Sequence, residues 1–293
     1  MKILYGVSGE GFGHSSRARK IIPYLRSRGH EVLVVSYGQG YKNLKKDFNV
    51  LKVEGIELIF KEGKLSLKRT AKESAYRILE NLKNWRRIKK SIIKFNPEVC
   101  ISDMEPIVPI IRYWFNLQRI YLIKLPISIN SLIRQFTNKI TQSSKLSIPL
   151  ICLDNQHRIT HLKLNVPRKY KKDYYIAKLS IKKVVSKADY YVILSFTKSR
   201  IKERKKQKGI YIINPILREE VIKLKPKKED FILVYLTKPN KNIIDLLKRT
   251  KENYIAYVYG MKKNKIKDNS GNRYINSQNS LMDNSEKRIL INR

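Results

Sequence analysis

Residues 2–37 read KILYGVSGEGFGHSSRARKIIPYLRSRGHEVLVVSY, and their pattern decides the fold. Lys2 to Val7 is a short apolar run, and Gly9-Glu10-Gly11-Phe12-Gly13-His14 is a glycine-rich turn. Ala18, Ile21, Ile22 and Leu25 then recur at helical spacing. Pro23 inside that helix predicts a kink or a late start. Gly29 ends it. Glu31 to Tyr37 follows as a second strand, whose unbroken apolar run fits burial on both faces. Units of this kind build parallel sheets.

Outward from this unit the pattern repeats. A long helix is expected from about Thr70 to Phe95, with Ala71, Ala75, Ile78, Leu82, Trp85, Ile88 and Ile92 in one apolar stripe. Arg86, Arg87, Lys89 and Lys90 lie on its other face. Pro97 to Asp103 and Ile148 to Asp154 both read as strands that end on an acid. Residues 171–186 read as a helix, and 188–196 and Tyr211 to Pro215 as strands. Lys223 to Asp230 is a charged, proline-containing linker. After it come a strand (231–236), a helix (240–250) and a strand (254–259). From Met261 to Arg293 the chain is rich in Asn, Lys and Ser, without periodicity. The expected fold class is therefore α/β. A Rossmann-like domain with a parallel sheet spans 1–222, the linker 223–230, a partial second Rossmann-like domain 231–260, and a disordered polar tail 261–293.

The length of 293 residues fits one large domain or two, at roughly 100–200 residues per domain. The charge balance stands apart: 63 Lys+Arg against 24 Asp+Glu give a net charge of +39. Such a surface favours nucleic acid, phosphorylated small molecules or an acidic membrane face, although Lys-, Ile-, Asn- and Tyr-rich usage also suits plain compositional drift. Two cysteines exclude a disulfide scaffold. No segment reads as a secretion signal or as a span long enough to cross a bilayer. The expected location is cytoplasmic, with peripheral attachment to the inner face of the membrane. Tyr113, Trp114, Phe115 and Tyr121 among Arg112, Arg119 and Lys124 are the proposed contact, against the plainer reading of a core helix with incidental charges.

The candidate chemistry lies at predicted C-terminal strand ends, where open α/β sheets bind ligands. Gly9, Gly11 and Gly13 permit a tight turn and close ligand approach, and the helix behind them suits a phosphate. The alternative is a tight turn with no ligand. No Gly-Lys-Ser/Thr follows, so this is not a P-loop. Ser36, Tyr37 and Gly38 replace the acid that a dinucleotide fold wants after its second strand. Of four histidines, His14, His157 and His161 follow strand ends, and only His30 lies in a plain helix-to-strand turn. Asp103 and Glu105 could serve as general base or hold a sugar hydroxyl, or cap the next helix. Asp154-Asn155-Gln156-His157-Arg158 is a run of five polar residues at another strand end. Cys100 and Cys152 read as buried strand thiols. No CxxC spacing exists and no metal site is expected, although His157 and His161 stand four apart.

VSGEGFGHSSRA, RGHEV, ISDMEP, LDNQHRITHLKLNVP and NPILR together resemble a group of MurG-like glycosyltransferases of archaea and bacteria, over roughly residues 1–260. The resemblance implies the GT-B fold, two Rossmann-like domains facing a cleft. It implies a nucleotide-diphosphate sugar as donor, no other cofactor, and metal-independent inversion. Its acceptor is phosphorylated or lipid-linked and faces the loop that ends in His14. His14, Asp103 or Glu105 would take the acceptor proton, and Gly9, Gly11, Gly13 and Asp154 to Arg158 would hold substrate. The donor-side glycine loops of such enzymes have no match after Gly260. A truncated second domain, or one supplied by a separate polypeptide, is therefore expected, with weak donor binding by the chain alone. Two other readings stand beside it. One is a catalytically inactive remnant. The other is a basic nucleic-acid-binding protein, although no helix-turn-helix, RRM or zinc-finger pattern supports specific nucleic-acid recognition.

Overall fold

The computed structural model describes residues 1–56, 59–61, 64–123, 147–185, 187–197, 200–202, 209–223, 225, 230–236, 240–249, 253–258, 265–267 and 273–276. The chain divides into two compact units, Met1–Ile59 with Leu67–Ile216, and Phe60–Ser66 with Leu217–Arg293. The division falls at 216/217, ahead of the expected boundary at 222.

The first unit opens with β1 (Lys2–Val7), α1 (Gly13–Ser27), β2 (Glu31–Ser36), α2 (Gly38–Leu44) and β3 (Val50–Lys52). A short hairpin of β4 (Phe60–Lys61) and β5 (Lys64–Leu65) belongs to the second unit. The first unit resumes with α3 (Leu67–Lys83), α4 (Trp85–Phe95), β6 (Val99–Asp103) and α5 (Ile107–Ile123). It ends with β7 (Leu150–Asp154), α6 (Arg158–His161), α7 (Lys171–Val184), β8 (Tyr190–Leu194) and β9 (Ile210–Ile213). Its strands form one sheet in the order β3-β2-β1-β6-β7-β8-β9, and every pairing is parallel. The order reverses between β1 and β6, which makes that pair the topological switch point.

Alternation along the strands explains the two-sided core. Ile3, Tyr5 and Val7 of β1 and Ile101 of β6 pack with Ala18 and Ile22 of α1. Leu4 and Cys100 face the other way, onto Ile88 and Ile92 of α4 and Ile107, Val108 and Ile111 of α5. Helices on both faces demand the continuous apolar strands seen in the sequence. Gly6 admits the N-terminus of α5, because a Cβ there would stand 2.7 Å from Glu105 Oε2 and from Val108 Cγ2. Pro23 lies inside α1, which nevertheless runs on to Ser27.

The expected long helix is two, α3 and α4, separated at Asn84. Its stripe divides accordingly: Ile88 and Ile92 are core, whereas Leu82 is 62% exposed. Periodicity alone does not register a one-residue break. The side chains of Ala71 and Ile78 lie outside the description.

The second unit contains α8 (Glu219–Ile222), β10 (Ile232–Leu236), α9 (Lys241–Arg249), β11 (Tyr254–Val258), β12 (Lys265–Lys267) and β13 (Arg273–Asn276). Its sheet runs β10-β11-β13-β12, with β12 and β13 antiparallel and the other pairs parallel. Leu247 and Ile243 of α9 pack on Val234, Leu236, Tyr254 and Ala256. The patternless reading of 261–293 therefore fails at 265–267 and 273–276. There β13 gains its place from main-chain pairing with β11 rather than from apolar periodicity. Residues 277–293 lie outside the described residues.

Candidate active site

The glycine turn follows β1 and is held by the end of β2. A Cβ at Gly9 would run into the carbonyl and ring of Tyr37, so this glycine is required by close packing. The buried Tyr37 hydroxyl meets Ser8 Oγ at 3.2 Å, and Ser36 Oγ donates to the Val7 carbonyl at 2.8 Å. The strand-2 residues that argued against a dinucleotide thus form the seat of the loop. Gly11 has a φ of +68°, open to glycine at least cost. Gly13 begins α1, and a Cβ there meets nothing within 4 Å.

His14 occupies the second position of α1, and Asp103 ends β6, across the switch point. Their contact is direct, with His14 Nδ1 2.7 Å from Asp103 Oδ1. Asp103 is fully buried, whereas the His14 side chain keeps 12% exposure. Arg17, three residues along the same face of α1, grips the same carboxylate. Its Nε donates to Oδ2 at 2.8 Å and its Nη2 to Oδ1 at 2.6 Å. Because a carboxylate only accepts, its bond fixes the proton on Nδ1 of the imidazole and leaves Nε2 as an acceptor. Gln156, after β7, approaches that Nε2 with its amide nitrogen at 3.3 Å. The Gln156 Oε1 is buried without a partner. The amide therefore suits a neutral His14 as it stands, and could turn its oxygen toward a protonated one. Tyr5 lies beneath, its hydroxyl buried and unpartnered. Burial, and then the Asp103 charge, keep it protonated far above the usual phenol range.

Glu105 does different work. Its Oε1 accepts from Ile107 N–H at 2.9 Å and its Oε2 from Val108 N–H at 2.8 Å, capping α5. Burial pushes its carboxyl up to about 7, against the pull of those two N–H bonds. The cap accounts for both oxygens, so Glu105 belongs with the capping alternative rather than with the acid–base groups.

The run after β7 divides. Asp154 Oδ2 accepts from His157 Nδ1 at 2.8 Å and from the Cys152 thiol at 3.0 Å, and Oδ1 accepts from the His157 N–H at 2.8 Å. Burial alone would raise the Asp154 carboxyl, but the His157 side chain, the Cys152 thiol and the His157 N–H together hold it below its ordinary value. His157 stacks its ring beside Tyr191 and His161, and its Nε2 is buried without a partner. Asn155 is exposed. Arg158 Nη2 reaches Thr197 Oγ1 at 3.0 Å. Lys202 Nζ caps the end of α6 through the Ile159 and Thr160 carbonyls at 3.0 and 3.2 Å.

Cys152, Asp154 and His157 place potential ligand atoms within 4.8 Å of one another, a grouping that sequence spacing did not suggest. Sγ to Nδ1 is 3.2 Å, and the other two separations are the hydrogen bonds above. Burial, and then the Asp154 charge, keep the thiol protonated. The set is a hydrogen-bonded brace of the strand-end turn, in which the Asp154 carboxylate takes the thiol, the imidazole Nδ1 and the His157 N–H, while His157 Nε2 is left over.

Sequence reasoning picked out His14, Asp103 and Gln156, which the structure brings together. It missed Arg17 and Tyr5. Arg17 had a signal in its i, i+3 spacing from His14 on a helix whose apolar face is buried. Tyr5 in an apolar strand had none.

The sheet order defines an open, doubly wound α/β protein with a carboxylate–imidazole pair at its switch point. The profile described as "Glycosyl transferase family 1" matches residues 1–122 and 129–284, and the chain belongs to that family. An uncharacterized glycosyltransferase of Methanosarcina acetivorans is 29% identical over 160 residues, covering 49% of this chain and 40% of the relative. One from Methanosarcina mazei is 31% identical over 107 residues, covering 35% and 27% respectively. The chain thus spans well under half the length of these relatives. Among solved structures, Acinetobacter baumannii MurG is similar at 9% identity and TM-score 0.37, over 89% of this chain and 62% of that one. Arabidopsis thaliana UGT89C1 complexed with UDP is similar at 14% identity and TM-score 0.44, over 96% and 71%. The calicheamicin glycosyltransferase CalG4 gives 10% and 0.46, over 90% and 67%.

Proposed function

We propose that this chain takes part in transfer of a sugar from a nucleotide-diphosphate sugar to an acceptor hydroxyl, with His14 Nε2 as the base. The observation that carries the reading is the His14–Asp103 contact at the switch point. Asp103 orients the imidazole and offsets the charge His14 gains when it takes a proton. As the hydroxyl loses its proton to Nε2, its oxygen attacks the anomeric carbon. The bond from that carbon to the diphosphate breaks, and the configuration inverts. The acceptor takes the place of the Gln156 amide at Nε2. A phosphate of that acceptor fits the turn of Gly9, Gly11 and Gly13 at the N-terminus of α1, which carries no acid in its first turn. Asn155 and Arg158 are left as the substrate contacts on the β7 side, with Asp154 and His157 bracing them.

The test is release of UDP or GDP from UDP-glucose, UDP-N-acetylglucosamine or GDP-mannose, with a polyprenyl phosphate extract as acceptor source. Release above background that His14→Ala and Asp103→Asn both remove supports the assignment. Equal release from His14→Ala overturns it.

Peripheral attachment to an anionic bilayer belongs to the same reading. The residues first expected to make it do not present a common face. Phe115 is core, Trp114 packs edge-on against Trp85 at 5.6 Å, and Arg112 is paired with Asp189 at 2.9 Å. Lys124 and the side chains of Arg119 and Tyr121 lie outside the described residues. The better support is α3, where Tyr76, Leu79 and Leu82 are 58, 57 and 62% exposed beside the exposed Lys72 and Lys83. No described helix is long and apolar enough to cross a membrane. Sedimentation with phosphatidylglycerol vesicles, lost on Leu79→Ser with Leu82→Ser, is the expected result. Equal binding to phosphatidylcholine vesicles would remove the electrostatic part.

A further inference from the structure

We propose that Arg17 is a positioning residue, whose guanidinium holds the Asp103 carboxylate in the one orientation that keeps His14 protonated at Nδ1 and open at Nε2. Its catalytic meaning rests on the base assignment above, but the geometry can be read without turnover.

The carboxylate of Asp103 has two oxygens to satisfy in full burial. Oδ2 receives Arg17 Nε at 2.8 Å, and Oδ1 receives Arg17 Nη2 at 2.6 Å together with His14 Nδ1 at 2.7 Å. The fork contact fixes the carboxylate plane, which one imidazole N–H alone does not do. Arg17 Nη2 also comes within 3.2 Å of His14 Nδ1. Both nitrogens are donors, so this is convergence on Oδ1 rather than a bond between them. The Arg17 side chain is 12% exposed, too enclosed for an ordinary surface charge. Helix spacing delivers it, since residues three apart share a face of α1. A buried carboxylate that loses its cation takes a proton or turns away. Either change removes the fixed acceptor for the His14 N–H, and the imidazole then exchanges tautomers.

The groups that face His14 are Asp103 from β6, Arg17 from α1 and Gln156 from the turn after β7. Arg17 in addition feels Tyr5 of β1 and Asp154 of β7. Removing Arg17 deletes the one fixed cation among them. Lysine would keep the charge but lose the fork, since an ammonium is a point donor.

Long-range imidazole nitrogen–proton NMR spectra test this directly, because the chain has only four histidines. His14→Gln identifies the signal. Wild-type His14 is expected as a single Nδ1–H tautomer at pH 8. Arg17→Met is expected to show both tautomers. Arg17→Lys is expected to mix tautomers as well, because the ammonium lacks the fork. Unchanged His157 and His161 signals show that the fold is kept, and Arg17→Lys carries the test if Arg17→Met does not fold. A wild-type tautomer in the folded variant would overturn the proposal and leave Arg17 as a tie between α1 and β6. If the tautomer changes while His14→Ala still releases nucleotide at the wild-type rate, the base assignment fails and the positioning role stands.

Discussion

Two Asp–His pairs sit at neighbouring strand ends of one sheet. At the end of β6, Asp103 meets a histidine delivered from α1, and Arg17 completes its carboxylate. At the end of β7, Asp154 meets the histidine three residues later in its own chain, and Cys152 completes it. The first imidazole keeps 12% exposure and the second 2%. The first pair joins two elements across the switch point, and its second nitrogen meets the Gln156 amide at 3.3 Å. The second closes a local turn, and its free nitrogen is sealed beneath Tyr191 and His161. The same two residue types thus give a candidate site in one place and a brace in the other. What differs is which element supplies the histidine, and the cation or thiol that completes the carboxylate.

The sharpest way to break this contrast is to remove each histidine. His14→Ala should lower nucleotide release by about 10²–10⁴-fold. Its unfolding free energy should fall by only about 1–2 kcal/mol, because Arg17 still pairs the Asp103 carboxylate. His157→Ala should do the reverse, leaving Asp154 buried without its main donor and costing about 3–5 kcal/mol in chemical denaturation. If His157→Ala proves as stable as wild type yet inactive, the β7 pair is part of the chemistry.

A second test uses pH, where the buried carboxyls differ in sign. The Glu105 carboxyl is raised from 4.5 to about 7 by burial. The native state therefore holds that proton more tightly than the unfolded chain, and stability falls as pH climbs from about 4.5 through 7. The full loss approaches about 3 kcal/mol. Asp154 is held below 3.8, so its contribution is present above that value and fades as pH drops below it. Urea unfolding at pH 5 and pH 8 should show the Glu105 loss, and Glu105→Gln should flatten it. A wild-type chain equally stable at both values would mean that this carboxyl is ionised throughout.

A third test reads the Cys152 half of the brace. Cys152→Ala removes one donor to Asp154 and should cost about 1–2 kcal/mol. Burial pushes the Cys100 thiol up to about 12 and holds the Cys152 thiol well above its ordinary value. Neither should react with a disulfide reagent at pH 8 until the chain is denatured. Fast labelling of native Cys152 would show that the β7 turn opens.

Much of this was legible beforehand. The first strand–turn–helix–strand unit announced the parallel sheet, because burial on both faces forces unbroken apolar strands. His14, Asp103 and Gln156 were legible from their places after strands. What escaped detection was pairing across distance. Asp154 and His157 looked as exposed to ligand as Asp103 and His14, because strings of polar residues carry no record of which ones satisfy each other. Glu105 could be base or cap until its two oxygens met the N–H groups of Ile107 and Val108. The strands at 265–267 and 273–276 were hidden because main-chain pairing, unlike packing, leaves little trace in composition.

The smallest expected effect separates the three glycines of the loop that brings His14 to Asp103. Gly9→Ala drives a methyl into the Tyr37 carbonyl and ring, in a backbone contact that cannot shift cheaply, so a cost of about 1–3 kcal/mol is expected. Gly11→Ala meets no neighbour within 4 Å, but its φ of +68° carries a strain of about 1 kcal/mol. Gly13→Ala meets neither obstacle: its Cβ has no neighbour within 4 Å and its φ is not positive. It also reduces the freedom of the unfolded chain, so stability should stay level or rise by about 0.5 kcal/mol. A methyl there would matter only to something outside the protein that approaches the first turn of α1. If that turn holds an acceptor phosphate, Gly13→Ala should raise the acceptor KM several-fold at unchanged thermal stability. An unaltered KM in a fully stable Gly13→Ala chain would move the phosphate away from this loop, while leaving His14 and Asp103 where they are.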